Sequence, residues 1–283
     1  VVSLLLAMPV SFAQSPDDQY VPGPDSKEQP GVPKGKVTKH VWDKSKVFPN
    51  TTRDYWIYVP AQYKKGMKAA VFVCQDGISY QTPTVFDNLI HKKEMPVTIG
   101  IFIQPGSIQE KARRSETEEK PRSNRSVEYD TVSDDYSKFL LKEILPEVAK
   151  TYTFTDNPDG RCIAGNSSGA ICAFTVCWER PDEFRKCFTT IGSFTNIRGG
   201  DKYPDIISKA AKKPIRIYQQ DGSNALNNQF GSWTEANKAM AAAFEKKGYD
   251  HQFVLGEGTH SARHGTALFP DAMRWMWRDY PKD

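Results

Sequence analysis

Between residues 37 and 59 apolar and polar side chains alternate. "KVTKHVW" and "RDYWIYVP" each offer one face to an interior and one to water, with Pro49-Asn50 as the turn between them. The alternation then gives way to continuous apolar runs. "AAVFVCQDG" and "VTIGIFIQPG" are short and end in glycine turns, which suits strands covered on both faces. "RCIAG", "KPIRIYQQDG" and "HQFVLGEG" repeat the form further along. Between such runs the period lengthens to that of a helix. "SDDYSKFLLKEILPEVAKTY" reads as an amphipathic helix with Ser133 as its N-cap. "SGAICAFTVCWER", "WTEANKAMAAAFEKKGY" and the closing "PDAMRWMWRDY" are also helical, the last with Met273, Trp275 and Trp277 near its apolar side. Strands alternating with helices predict an α/β fold, a mostly parallel central sheet with helices on both faces. Ligands gather at the carboxyl ends of the strands in such a sheet, so chemistry is sought just after each strand.

The first 36 residues break the pattern. "VVSLLLAMPV" followed by Ser11-Phe12-Ala13 resembles the back half of a secretory signal peptide, so 1–13 is expected to be its remnant and the protein secreted or periplasmic. The apolar run is too short to span a membrane. Residues 14–36, rich in Pro, Gly and charge, are expected to be a flexible leader. Residues 37–283 are then expected to form a single domain. Within it, "QEKARRSETEEKPRSNR" lacks periodicity and reads as a solvated loop.

Composition narrows the class. In 283 residues the formal net charge is only +4, with both signs mixed, which gives no electrostatic case for nucleic acid. There are five cysteines, Cys74, Cys162, Cys172, Cys177 and Cys187, so at least one is unpaired, and a disulfide among the last three is left open. No Cys/His cluster has metal-ligand spacing, and neither a metal nor another cofactor is expected.

The candidate chemistry begins at Gly165-Asn166-Ser167-Ser168-Gly169, a G-x-S-x-G pentapeptide between a strand and a helix. That setting holds its middle serine, Ser167, at a strained apex, and the following Ser168 offers its backbone N–H to an oxyanion. A second donor is expected from the turn after "VFVCQ", the N–H of Gly77 or Ile78. A serine needs a base, and the triad order on such a sheet is nucleophile, acid, histidine. His40 and His91 precede the serine, and His251 opens a strand at the wrong end of the sheet. Of the two that remain, His260 in the loop "GEGTHSA" is the candidate base, and His264, at the start of the last helix, a capping or supporting residue. The candidate acid is Asp221, which ends a strand, with Glu257, three residues before His260, as the alternative. Arg125, Glu128 and Trp233 are candidate substrate contacts.

"GNSSGA", preceded by "NRSVEYD" and "SDDYSKFLLKEILPEV" and followed by "GTHSARHGTALFPDAMRWMWRDY", resembles the enterochelin esterase-like and feruloyl/acetyl-xylan esterase branch of the α/β-hydrolases, over about residues 37–280. The resemblance implies an α/β-hydrolase fold and a cofactor-free Ser-His-Asp esterase, with Ser167 and His260 in the matching positions. It also implies an acid after Gly-x-Asn, but Gly222-Ser223-Asn224 is followed by Ala225. Two functions follow as expectations. One is a secreted serine esterase removing feruloyl, acetyl or other acyl groups from carbohydrates, polysaccharides or small esters. The other, motivated by Ala225, is a non-catalytic or weakly active carbohydrate- or siderophore-binding protein on the same scaffold.

Overall fold

The computed structural model describes residues 15–108 and 122–282. The signal-peptide expectation, and most of the loop read as solvated, lie outside them. Two hairpin strands, β1 (Lys36–Trp42) and β2 (Thr51–Val59), precede β3 (Ala70–Gln75), helix α1 (Thr82–His91) and β4 (Thr98–Ile103). The short strands β5 (Ser107–Ile108) and β6 (Arg122–Ser123) lead into α2 (Arg125–Asp130). A single helical run follows, α3 (Asp135–Phe139), a π-turn (Leu140–Ile144) and α4 (Leu145–Ala149), with Ser133 Oγ accepting the Asp135 N–H at its start. Then come β7 (Arg161–Asn166), α5 (Ser168–Glu179), β8 (Lys186–Thr190), α6 (Tyr203–Lys209) and β9 (Arg216–Gly222). A small hairpin, β10 (Asn227–Asn228) and β11 (Gly231–Ser232), precedes α7 (Trp233–Lys246), β12 (Asp250–Gly256) and α8 (Arg263–Met276).

The large sheet runs β12-β9-β8-β7-β3-β4-β2-β5-β6, with β1 on β2. From β12 to β4 every pairing is parallel, and the antiparallel strands are gathered at the other edge. Period-two alternation divides the buried strand residues between two cores. Val71, Val73, Ile99, Ile101 and Ile163 pack under α5 and α7 with Phe174, Met240 and Phe244. Phe72, Cys74, Phe102, Cys162 and Phe188 face the other way, onto Phe86 and Leu89 of α1 and Phe269, Met273 and Met276 of α8. The expected architecture is present. Strand β8 and helices α1 and α6 come in addition to the elements read from the pattern.

One point left open is answered and one expectation is corrected. All five cysteines are free and buried, so no disulfide joins Cys172, Cys177 and Cys187. The segment expected to be a flexible leader is laid against the domain. Residues Pro16–Gln19 and Pro24–Ser26 form short 3-10 turns, Asn88 donates to the carbonyls of Asp25 and Lys27, and Arg274 pairs with Asp25 at 2.5 Å. Polar composition suggested a free tether, yet these side chains find partners on α1 and α8. Among the described residues, no helix is long and apolar enough to cross a membrane.

Candidate active site

Strand β7 ends at Asn166 and α5 opens at Ser168, leaving Ser167 to turn the chain in one residue, at φ 55° and ψ −120°. A serine held at positive φ costs on the order of 1–3 kcal/mol and persists only where its surroundings over-determine it. They do here. The Ser167 N–H donates to Thr190 O at 3.0 Å, and the Ser167 carbonyl accepts the N–H groups of Ala170 and Ser193. The turn also needs its first glycine, because a Cβ on Gly165 would stand 2.3 Å from the Gly169 carbonyl, backbone that cannot move aside.

His260 lies on the loop between β12 and α8, and its Nε2 is 2.9 Å from Ser167 Oγ. On its other side Ser167 Oγ meets Ser193 Oγ at 3.1 Å, and the Trp233 indole N–H donates to Ser193 Oγ at 3.1 Å. The Trp233 ring also stands edge-on to the imidazole, centroids 5.7 Å apart. Loss of solvent, and secondarily the positive charge of Arg125, push His260 down to about 4, so the ring is neutral at pH 7.

Behind the histidine no third member stands among the described residues. His260 Nδ1 is buried without a hydrogen-bond partner among the described residues. Asp221 is fully buried, but its carboxylate accepts the Gly222 N–H at 2.8 Å and the Asn237 side-chain N–H at 2.9 Å, not the imidazole. Desolvation raises it to about 7, against the pull of those two donors. Glu257 is exposed, and it joins the network through its main chain, not its carboxylate. Both carboxylates offered by the sequence are therefore placed away from the role; strand-end geometry turns Asp221 toward α7.

The three expected oxyanion donors differ in their hydrogen bonding. Ser168 opens α5, so its N–H has no acceptor within the helix. Gly77 is corrected: its N–H donates to Ile103 O at 3.2 Å. The Ile78 N–H has no backbone partner among the described residues and is the remaining donor in that turn. Asp76, just before them, holds positive φ of 61° and pairs twice with Arg125, Nε to Oδ1 at 2.7 Å and Nη2 to Oδ2 at 2.8 Å.

Of the candidate substrate contacts, Arg125 alone is partly open, its side chain 33% exposed beside the elbow. Glu128 is corrected. It is sealed in an ion pair with Arg53, both side chains 0% exposed, because it anchors α2 to β2. Trp233 is also buried and supports Ser193 from behind. His264 takes the Gln220 amide N–H on Nδ1 at 3.1 Å and stacks on Tyr20, without a bond to His260. Sequence reasoning passed over Ser193 and Asp76. Both stand directly beyond strand ends, where a parallel sheet collects its chemistry, but β8 went unread and Asp76 looked like a turn residue. No group of three or more His, Cys, Asp or Glu able to hold a metal occurs among the described residues.

A family model described as "Putative esterase" matches residues 45–276. The uncharacterized protein YjcH of Bacillus subtilis (strain 168) is 24% identical over 235 residues, 78% of this chain and 89% of that protein. Among solved structures, the enterobactin esterase FES from Shigella flexneri superposes with a TM-score of 0.69 at 18% identity, over 91% of this chain. This chain spans 62% of the length of that one. The CE1 ferulic acid esterase AmCE1/Fae1A from Anaeromyces mucronatus superposes with a TM-score of 0.67 at 18% identity, over 90% of this chain and 95% of that one. The fold is that of α/β-hydrolase esterases.

Proposed function

This chain belongs to that esterase family, and from this premise we propose that it is a secreted or periplasmic serine carboxylic-ester hydrolase. Its substrates would be feruloyl, acetyl or related acyl esters of carbohydrates, or small esters of the same kind. Ser167 Oγ attacks the ester carbonyl while its proton passes to His260 Nε2. The oxyanion is held by the N–H groups of Ser168 and Ile78. His260 then protonates the departing alcohol, and water, activated by the same imidazole, hydrolyses the acyl-enzyme.

The observation that carries the reading is the 2.9 Å contact between His260 Nε2 and Ser167 Oγ. The hydrogen-bond polarity supports it. An indole nitrogen only donates, so Ser193 Oγ accepts from Trp233 and its own hydrogen is left for Ser167 Oγ. The Ser167 hydrogen is then left for His260. As the proton moves across, the Ser193 hydroxyl remains to stabilise the charge growing on Ser167.

The unpartnered Nδ1 favours a second reading, a carbohydrate- or siderophore-binding protein of little or no activity. In a serine protease triad, replacing the Asp costs about four orders of magnitude in rate, which leaves a slow enzyme. Incubation with p-nitrophenyl acetate and a fluorophosphonate probe decides between them. The esterase reading expects labelling at Ser167 that Ser167→Ala abolishes; folded protein that takes no label refutes it.

A further inference from the structure

With no acid behind it among the described residues, the imidazole of His260 needs another means of staying within reach of Ser167. We infer that the N-terminal segment around Asp17 and Tyr20 provides it, bracing the loop that carries His260; this rests on the esterase reading. Asp17 is only 5% exposed, and its Oδ1 accepts the Thr259 N–H at 3.0 Å while Oδ2 accepts the Thr259 hydroxyl. The Glu257 N–H donates to Tyr20 Oη at 2.7 Å, and the Tyr20 ring stacks on His264 at 3.8 Å. Asp18 pairs with Arg263. The residues on both sides of His260 are thus tied to a segment from the other end of the chain.

The loop is shaped to receive this segment. A Cβ on Gly258 would stand 2.7 Å from Asp17 Oδ1, and one on Gly256 2.3 Å from Tyr20 Oη. The opposite side of the loop is held by Asn224, whose main-chain N–H donates to Gly258 O at 3.1 Å and whose side chain donates to Glu257 O at 2.7 Å. Asp17 is the carboxylate that grips the main chain next to the histidine. It acts through Thr259 as a positioning residue and touches no reacting atom. A displacement of about 1 Å in a reacting group can cost on the order of 10²-fold in rate, so a loosened loop is felt in turnover first.

The test compares the full chain with its Asp17→Ala, Asp17→Asn and Tyr20→Phe variants. Each is measured for kcat and KM on p-nitrophenyl acetate, for the rate of fluorophosphonate labelling at Ser167, and for amide hydrogen exchange across residues 256–262. Asp17→Ala is expected to lower kcat and the labelling rate about 10- to 100-fold with KM within about 2-fold, and to speed exchange at Thr259. Asp17→Asn restores most of the rate, since its carbonyl still accepts the Thr259 N–H; Tyr20→Phe removes the acceptor of the Glu257 N–H and speeds exchange there, which carries the test should Asp17→Ala fail to fold. A labelled wild type whose variants label as fast and exchange no faster overturns the brace alone. An unlabelled wild type overturns the hydrolytic reading, and with it the catalytic purpose of the brace.

Discussion

Replacing Asp221 by Asn separates a triad acid from a buried structural carboxylate. The carboxylate lies against Asn237 and the Gly222 N–H, with no bond to His260. If it oriented the imidazole, the substitution would cost about 10⁴ in kcat; from this geometry the loss should stay within about 10-fold of wild type. Stability responds in the other direction with pH. Burial raises Asp221 from 3.8 to about 7, so the folded state holds its proton more tightly than the unfolded state does. This group's contribution is complete below pH 4 and is lost as pH rises through 7. Keeping the charge buried at pH 8 then costs roughly 4 kcal/mol. Asparagine escapes that cost but presents an N–H toward the Asn237 donor, a mismatch of about 1–3 kcal/mol. Urea unfolding should therefore show Asp221→Asn less stable than wild type at pH 4, with the deficit shrinking or reversing at pH 8. A folded variant that loses 10³-fold or more in kcat, or whose deficit grows with pH, refutes the reasoning.

Ala225→Asp places a carboxylate at the position where the sequence resemblance implies an acid, and kcat on p-nitrophenyl acetate should rise about 10-fold or more; no rise in a folded variant speaks against an empty acid position there. Glu128→Ala strands the Arg53 guanidinium in a fully buried site, so thermal and urea unfolding should show a loss of about 3–5 kcal/mol, with Glu128→Gln losing less. The acid limb of kcat/KM should lie near pH 4, because a base depressed to about 4 loses its neutral form only there. Arg125→Gln removes the nearby positive charge and should move that limb to higher pH, which a pH profile of the two proteins reads directly.

The sheet was legible because its strands are continuous apolar runs ending in glycine, and the elbow because strand, G-x-S-x-G and helix follow one another without a gap. Strand β8, "KCFTT", was passed over since it opens on a charged residue; Lys186 is nevertheless buried, its ammonium lying over the Trp277 and Tyr280 rings. His260 could be reached by elimination among five histidines. The direction in which a carboxylate points could not, because Asp221 turns toward Asn237 through contacts made by α7, remote in sequence. Nor could the docking of residues 15–26, whose partners on the His260 loop lie some 240 positions away and whose local composition matches that of an unattached segment.

The five unpaired thiols carry an experimental consequence. Burial pushes Cys74, Cys162, Cys172 and Cys187 up from the ordinary thiol value, and each lies sealed in one of the two cores. A thiol that is neither ionised nor accessible does not meet an alkylating reagent until the layer above it lifts away. Iodoacetamide uptake at each cysteine, followed by mass, would thus time the opening of each layer, with Cys74 and Cys162 reporting for α1 and α8, and Cys172, Cys177 and Cys187 for the helices opposite. The native chain comes with clocks on both sides of its sheet, and no engineered label is needed to read them.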